Sequence, residues 1–129
     1  MEYSIKETVA FITGANRKTG LGRALVEKAL QRGVKKVYAT SRNLSELDDL
    51  VAISPNKVVP IELDITDHDQ VKEVLKQVQD TQVLINNAGA YALSGCIDNY
   101  DEQVARHNME VNYFATAHLM HAFAETLIR

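Results

Sequence analysis

Short apolar runs alternate with longer amphipathic segments along most of this chain of 129 residues. Four runs are predicted to be strands, at Thr8–Thr13, Val37–Ser41, Val58–Leu63 and Gln82–Asn86. A segment with helical spacing or composition follows each run, and this alternation is typical of βαβ units that build a parallel sheet. Because Pro60 has no backbone N–H for a strand ladder, the third run is predicted to lie at an edge of that sheet.

Apolar spacing and capping residues predict four helices. Leucines and alanines recur at helical spacing over residues 21–29, and Gly33 follows them as a C-cap glycine. A short helix is predicted at Leu44–Leu50, and a longer one begins where Thr66 or Asp67 can cap it. The segment from about Asp101 to the end contains neither Gly nor Pro, so it is predicted to form one long helix.

The right-handed crossover rule, with one reversal after the third strand, predicts the spatial strand order 3-2-1-4. The expected fold class is therefore α/β, a three-layer, doubly wound parallel sheet of the Rossmann type that is incomplete at about four strands. The length suits one domain, and no linker or repeat interrupts it, so residues 1–129 are predicted to form a single domain.

Composition narrows the possible partners and the compartment. With 46% apolar and 24% charged residues, the chain resembles an ordinary globular protein. The net charge of -3, without a block of like charge, argues against nucleic acid as a partner. No apolar stretch approaches the about 20 residues of a membrane span, and the single Cys96 indicates a reducing compartment, so a cytoplasmic location is expected.

A glycine-rich segment, Thr13-Gly14-Ala15-Asn16-Arg17-Lys18-Thr19-Gly20-Leu21-Gly22, connects the first predicted strand to the first helix. At such a junction a dinucleotide pyrophosphate can approach backbone amides and a helix N-terminus. The candidate cofactor-binding residues here are Gly14, Asn16, Arg17, Gly20, Leu21 and Gly22. The alternative is a tight turn without a ligand.

The end of the second predicted strand bears on which nicotinamide cofactor binds. A carboxylate there would bind a ribose hydroxyl and repel a 2′-phosphate, whereas this chain has Ser41 and Arg42. Arg42, together with Arg17, could neutralise that phosphate, so NADP is predicted in preference to NAD. The alternative is that both arginines are ordinary solvated surface residues.

These motifs, with Asn86-Asn87-Ala88-Gly89 after the fourth strand, resemble those of the short-chain dehydrogenase/reductase family. The tetrapeptide matches the family's NNAG motif letter for letter. The family's TGxxxGxG loop aligns in two ways. Without a gap, which we favour from the sequence, Lys18 replaces the middle glycine and Gly20 is the last. With a two-residue insertion, Gly20 and Gly22 form the final pair.

The resemblance implies further roles for residues after the third and fourth strands. Asp64 and Ile65 stand where the family places an acid and an apolar residue beside the adenine ring, although Asp64 could instead cap the following turn. Asn87, Ala88 and Gly89 would support the sheet and line the cofactor's ribose. Asn112, in the last predicted helix, stands where the family has the Asn of its catalytic tetrad, although an exposed surface Asn is the alternative.

The resemblance corresponds to the N-terminal half of a family member, so the predicted domain is truncated relative to the family. The family's Ser and Tyr-x-x-x-Lys belong to the other half. No tyrosine of this chain has a lysine four residues later, and Lys76 is the last lysine.

The predicted function is therefore the NADP(H)-binding portion of an oxidoreductase that acts on an unknown small carbonyl or alcohol substrate, inactive alone. Alternatives are a stand-alone nucleotide-binding or regulatory module, and a protein that completes its sheet by association.

Two further expectations concern metals and self-association. His118, His121 and Glu125 fall near one face of the last predicted helix, but they lack the additional ligands of a metal site, so no metal is predicted. The fourth strand would present an open apolar edge, which invites pairing, so a homo-oligomer is expected.

Overall fold

The computed structural model describes residues 3–129 and contains one sheet of four parallel strands. The strands are β1 Val9–Ile12, β2 Lys36–Ser41, β3 Val58–Glu62 and β4 Val83–Ile85. Their order is β3-β2-β1-β4, which confirms the predicted order 3-2-1-4 and the α/β class. The observed strand ends lie within one residue of the predicted ends. Pro60 lies in β3 at one edge of the sheet, as its missing N–H requires.

Helices connect the strands and cover both faces of the sheet. They are α1 Leu21–Gln31, α2 Asp48–Ile53, α3 His68–Gln77, α4 Glu102–Met109 and α5 Thr116–Ile128. A 3₁₀ turn at Leu44–Leu47 leads directly into α2, so the predicted short helix is partly 3₁₀ and ends three residues later than expected. Asp67 caps α3 by accepting hydrogen bonds from Asp69 N and Gln70 N. Gly33 follows α1 with φ of 79°, as a C-cap glycine does.

The last helical region is not the single regular helix that the sequence predicted. A π-helical segment at Glu110–Ala115 separates α4 from α5. The hydroxyl of Thr116 donates to the carbonyl oxygen of Val111, five residues earlier, at 3.4 Å. Such a wide turn holds one residue more than an α-helical turn and often occurs at functional sites. Apolar periodicity and the absence of Gly and Pro do not reveal it, because they describe only regular helices.

Two hydrophobic cores lie on opposite faces of the sheet. Against α3 and α5, the Phe11 and Phe123 rings are 4.8 Å apart, and both side chains are fully buried. Against α1 and α2, the core includes Val26 and Leu50. Burying each such side chain contributes roughly 1.5–3 kcal/mol. The two cores give the three-layer architecture that the strand and helix alternation predicted.

Candidate functional site

A cleft of about 670 Å³ lies where the carboxyl ends of the parallel strands meet. Every predicted cofactor-binding residue lines it, from the glycine loop and from the ends of β2, β3 and β4. The other lining residues are Thr40, Leu63, Thr66, Ala90, Tyr91, His107 and Val111. The volume falls within the range of small-molecule and cofactor sites, and ligands of open α/β sheets bind at this edge.

Close backbone approaches explain the glycines at the start of the cleft. Gly14 has φ of 68°, and a Cβ there would lie 2.8 Å from the Cα of Ala88. A Cβ on Gly22 would overlap the carbonyl oxygen of Gly14, so no larger residue fits without movement of the loop. Gly22 therefore occupies the position of the motif's last glycine. The structure therefore favours the alignment with a two-residue insertion over the gap-free alignment.

The inserted residues, Lys18 and Thr19, are exposed and do not line the cleft. The ammonium group of Lys18 lies 3.9 Å from the carboxylate of Asp49 in α2. Asp49 also pairs with Arg23 at 2.6 Å, and this hydrogen bond holds the pKa of Asp49 below its ordinary value. The insertion thus lies on the α2 side of the loop, while Arg17 faces the cleft.

The N-terminus of α1 opens into the cleft. Gly20 is its N-cap residue and provides no side-chain hydrogen bond to the first turn. The first backbone amides of a helix lack intrahelical partners, and the helix dipole adds partial positive charge there. With Gly20, Leu21 and Gly22 all lining the cleft, this end of α1 is suited to hold an anion such as a pyrophosphate.

Hydrogen bonds join the glycine loop to the residues that follow β4. The side-chain amide of Asn87 donates to the carbonyl oxygens of Thr13 and Gly14, each at 3.0 Å. The Thr13 hydroxyl, which is buried, accepts from the backbone N–H groups of Asn87 at 3.0 Å and Ala88 at 2.9 Å. These bonds fix the floor of the cleft between β1 and β4.

At the end of β2, two hydroxyl groups have different partners. The Thr40 hydroxyl accepts from Gly14 N–H at 3.3 Å and so supports the glycine loop. The Ser41 hydroxyl donates to the carboxylate of Glu46 at 2.8 Å and accepts from Asn43 N–H at 3.2 Å. Arg42 is exposed and lines the cleft beside them.

Asp64 follows β3 and is held as an ionised carboxylate. Burial opposes its ionisation, but hydrogen bonds from the hydroxyl and N–H of Thr66, at 2.7 and 2.9 Å, outweigh burial. The positive charges of Arg42 and His107 act in the same direction and help hold the pKa of Asp64 below its ordinary value. The contact with Thr66 is the turn-capping role that the sequence left open, and Asp64 lines the cleft as well.

Two asparagines hold the segment that follows the NNAG motif. Asn112, in the π-helical segment, accepts from Ala90 N–H and donates to the Ala90 carbonyl oxygen, both at 2.7 Å. Asn108 makes the same pair of bonds with Ala92, at 3.2 and 2.9 Å. Asn112 itself is exposed and lies beside the cleft, next to the lining residues Ala90 and Val111.

Sequence reasoning missed several residues of the site. Thr13 and Thr40 are buried hydroxyls at strand ends, a position that could have marked them as partners of the adjoining loop. His107 lines the cleft from α4 and Asn108 lies one position further along, where no local pattern indicates a role. Their contribution depends on how α4 packs against residues distant in sequence.

The histidines of the last helix do not join a metal cluster. The His118 ring stacks on His68 with ring centres 3.7 Å apart. Within residues 3–129, no group of three or more His, Cys, Asp or Glu side chains is placed to hold a metal ion. Over the same residues, no helix combines the length and the apolar character needed to cross a bilayer.

Comparison with known proteins agrees with this fold. The sequence pattern of the short chain dehydrogenase family matches residues 8–129. The chain belongs to the short-chain dehydrogenase family.

Similar proteins include an NADPH-dependent 1-acyldihydroxyacetone phosphate reductase of Schizosaccharomyces pombe, 35% identical over 95% of this chain and 41% of that protein. The D-erythrulose reductase of Gallus gallus is 31% identical over 98% of this chain and 50% of the relative. A short-chain dehydrogenase of Burkholderia cenocepacia, solved in complex with NADP, superimposes with a TM-score of 0.87 at 42% identity. That match covers 97% of this chain and 50% of the other. The chain thus spans half or less of the length of these relatives.

Proposed function

We propose that the cleft binds NADP(H), and that this chain is the cofactor-binding portion of an oxidoreductase acting on a carbonyl or alcohol substrate. The observation that carries the proposal is the convergence of the predicted residues on one cleft at the open N-terminus of α1. The S. pombe relative that depends on NADPH and the B. cenocepacia structure that contains NADP support the same cofactor.

Each part of a dinucleotide has candidate groups along the cleft. The pyrophosphate fits the amides at the start of α1, where Gly14 and Gly22 leave room for close approach. The adenine fits beside Asp64 and Ile65, and the NNAG residues, which Thr13 holds in place, border a ribose of the cofactor. When bound, the cofactor supplies or accepts the hydride.

Two arginines support NADP(H) over NAD(H). Arg17 and Arg42 are both exposed and both line the cleft, and Arg42 directly follows the end of β2. A guanidinium group can bind a phosphate through two parallel hydrogen bonds. We therefore assign the 2′-phosphate to Arg42, with Arg17 as a second positive charge lining the same cleft.

Titration of the chain with NADPH and NADH by calorimetry tests this assignment. We expect tighter binding of NADPH, and we expect Arg42→Asp to reverse the order at a cost of roughly 1–3 kcal/mol for the lost charge-assisted contact. Arg32→Asp is the matched control, because Arg32 is an exposed arginine at the opposite end of α1. Equal affinity for both cofactors, unchanged by Arg42→Asp, would contradict the assignment.

We further propose that the chain alone does not turn over a carbonyl substrate. Hydride transfer to a carbonyl leaves an alkoxide that needs a proton donor, and a general acid contributes about 10²–10⁴ in rate. Tyr91 lines the cleft, but it is 86% exposed, and the residue four positions later is Gly95 rather than the lysine that would lower the pKa of a catalytic tyrosine. Asn112 serves as a positioning residue because both ends of its amide are bonded to Ala90.

An activity assay tests this proposed inactivity. With NADPH and a panel of ketones, aldehydes and quinones, we expect no loss of NADPH absorbance above the no-protein control. Turnover that disappears in Tyr91→Phe would contradict inactivity and identify another acid. A stand-alone nucleotide-binding or regulatory module is the alternative function, since the cleft brings the predicted cofactor-binding residues together while the tyrosine that lines it, Tyr91, has no lysine four residues later.

The proposed state in solution is a homo-oligomer, and the proposed compartment is the cytoplasm. β4 lies at the edge of the sheet, and its residues are half-buried. Phe114, Tyr113 and Met120 are large exposed apolar side chains in the last helical region. Open strand edges beside apolar surface favour pairing with another chain.

The proposed cytoplasmic location rests on the cysteine content. A single cysteine cannot form a disulfide within the chain, so this sequence does not require an oxidising compartment.

A further inference from the structure

The end of β2 carries no acid in sequence, but the structure brings one to it from the following 3₁₀ turn. Glu46 lies in Leu44–Leu47, and its carboxylate accepts a hydrogen bond from the Ser41 hydroxyl at 2.8 Å. Ser41 is 4% exposed and lines the cleft next to Arg42. The carboxylate of Glu46 is therefore hydrogen-bonded to a residue of the cleft wall, and the proposed function places the 2′-phosphate at that wall.

We propose that Glu46 is a specificity-determining residue that weakens the binding of a 2′-phosphate and so narrows the preference for NADP(H) over NAD(H). The inference rests on the proposed function and adds a residue to it. Glu46 does not line the cleft, so it acts through Ser41 and through its charge, and it is a positioning residue rather than a contact.

The hydrogen bonds of Ser41 show how Glu46 acts. A serine hydroxyl has one proton to donate, and here that proton goes to Glu46. The N–H of Asn43 donates to the same hydroxyl at 3.2 Å, which fixes its orientation from the other side. The Ser41 hydroxyl therefore cannot donate to a phosphate while Glu46 holds it, and Arg42 is left as the principal group for that phosphate.

The contact is not needed to begin the 3₁₀ turn. Asn43 caps that turn, because its side chain accepts from Ser45 N–H at 3.1 Å and from the Ser45 hydroxyl at 2.9 Å. The buried Leu47 anchors the turn in the core. Glu46 is exposed apart from its bond to Ser41, so its charge can be removed without disturbing the cap or the core.

Charge acts in the same direction as the hydrogen bond. A glutamate carboxylate and a phosphate repel each other, whereas the guanidinium of Arg42 attracts both. Because the carboxylate is exposed, water and salt screen part of this repulsion. From Coulomb's law at the effective dielectric of a protein surface, removing the charge should change phosphate affinity roughly 3- to 30-fold.

The test uses two nucleotides that differ only in the 2′-phosphate, adenosine 2′,5′-bisphosphate and 5′-AMP. Glu46→Gln keeps a hydrogen-bond acceptor of the same size for Ser41 but removes the charge. Calorimetric titration should show bisphosphate affinity raised roughly 3- to 30-fold, with 5′-AMP affinity changed less than about twofold. The gain should shrink as salt is raised.

Two further variants make the result specific. Asp48→Asn removes an exposed carboxylate from the adjoining first residue of α2, and it should leave the ratio of the two affinities unchanged. Glu46→Ala removes both the charge and the acceptor for Ser41; in a Ser41→Ala background the hydrogen bond is already absent, so Glu46→Ala should have a smaller effect there than in the native chain. The difference between the two effects measures the coupling through Ser41.

Two outcomes would overturn the inference while both nucleotides bind. One is an unchanged affinity ratio in Glu46→Gln, including an equal rise for both nucleotides, which would indicate a general charge effect. The other is the same change of ratio in Asp48→Asn. If neither nucleotide binds to any variant, the proposed function fails and the inference fails with it. Binding of both with an unchanged ratio overturns the role of Glu46 alone.

Discussion

Asn112 and Ala90 exchange two hydrogen bonds of 2.7 Å, one in each direction, between a side-chain amide and a backbone peptide unit. Asn108 does the same with Ala92. The two side chains satisfy the backbone N–H and carbonyl groups of Ala90 and Ala92. They tie the last helical region to the segment that continues the cleft wall beyond the NNAG motif, so the position of that wall depends on them.

Replacing Asn112 with Asp should therefore destabilise the chain. The carboxylate cannot donate to the Ala90 carbonyl oxygen and would face it with a like partial charge. Because the site is exposed, we expect a loss of about 0.5–1.5 kcal/mol in the free energy of unfolding, measured with urea. Asn56→Asp, in an exposed turn, is the control. Equal midpoints for the two variants would show that the bonds to Ala90 contribute nothing.

Deleting Lys18 and Thr19 should leave the site intact. Both residues are exposed, neither lines the cleft, and the one ion pair recorded for Lys18, with Asp49 at 3.9 Å, is a surface contact worth about 0–1 kcal/mol. The deletion should keep NADPH affinity within about threefold, measured by calorimetry, because short changes in surface loops are tolerated. If the variant lost all NADPH binding while its circular dichroism spectrum showed that the fold was retained, the gap-free alignment would be favoured instead.

Stability should fall in mild acid because of His118. Its Nδ1 atom is buried without a hydrogen-bond partner, and burial lowers the pKa of His118, with smaller contributions from the charges of His68, His121 and Lys72. The unfolded chain therefore binds the proton more readily than the folded chain. Unfolding free energy should decrease as the pH falls below about 6.5 and level off below the folded pKa.

A variant assigns that pH dependence to His118. His118→Phe keeps an aromatic ring against His68 but removes the titrating group, so its urea midpoint should change less between pH 7 and pH 5 than that of the native chain. Parallel curves for the two proteins over this range would show that other groups cause the acid sensitivity.

Self-association should depend on the exposed apolar surface of the last helical region. Phe114 is 56% exposed, and its ring packs edge-on against Tyr113 with centres 5.2 Å apart. We expect a dimer or larger species in sedimentation velocity, and Phe114→Glu should weaken it by about tenfold or more, since a charge would be placed in an apolar contact. A monodisperse monomer over a wide concentration range would contradict this proposal.

Much of the fold followed from local patterns. The alternation of apolar runs and helical segments predicted a parallel sheet, and the crossover rule with one reversal then predicted the strand order. Pro60 predicted the edge position of β3, because its missing N–H is a property of that one residue. The glycine and NNAG motifs predicted residues that the structure brings to one cleft, since parallel strands end at the same edge of a sheet.

The features that escaped prediction depend on contacts between distant segments or on a local irregularity. The alignment with a two-residue insertion is favoured by the approach of Gly22 to Gly14, which is visible only after the loop has folded. The contact of Glu46 with Ser41 depends on how the 3₁₀ turn folds back over the end of β2, and no motif marks it. The π-helical segment depends on one residue in excess of a regular turn, which composition does not encode.

The extra residue of the π-helical segment determines how the side chains of α4 are rotated about the helix axis relative to those of α5. Each residue of an α-helix advances the side chains by about 100° around the axis, so removing one residue from Glu110–Ala115 would rotate α4 by about that angle relative to α5. Phe123 would remain in its core while Asn108 turned away from Ala92. The wide turn thus lets one continuous helical region direct the core side chains of α5 towards the sheet and Asn108 of α4 towards the cleft wall. A regular helix of the same residues could not do both.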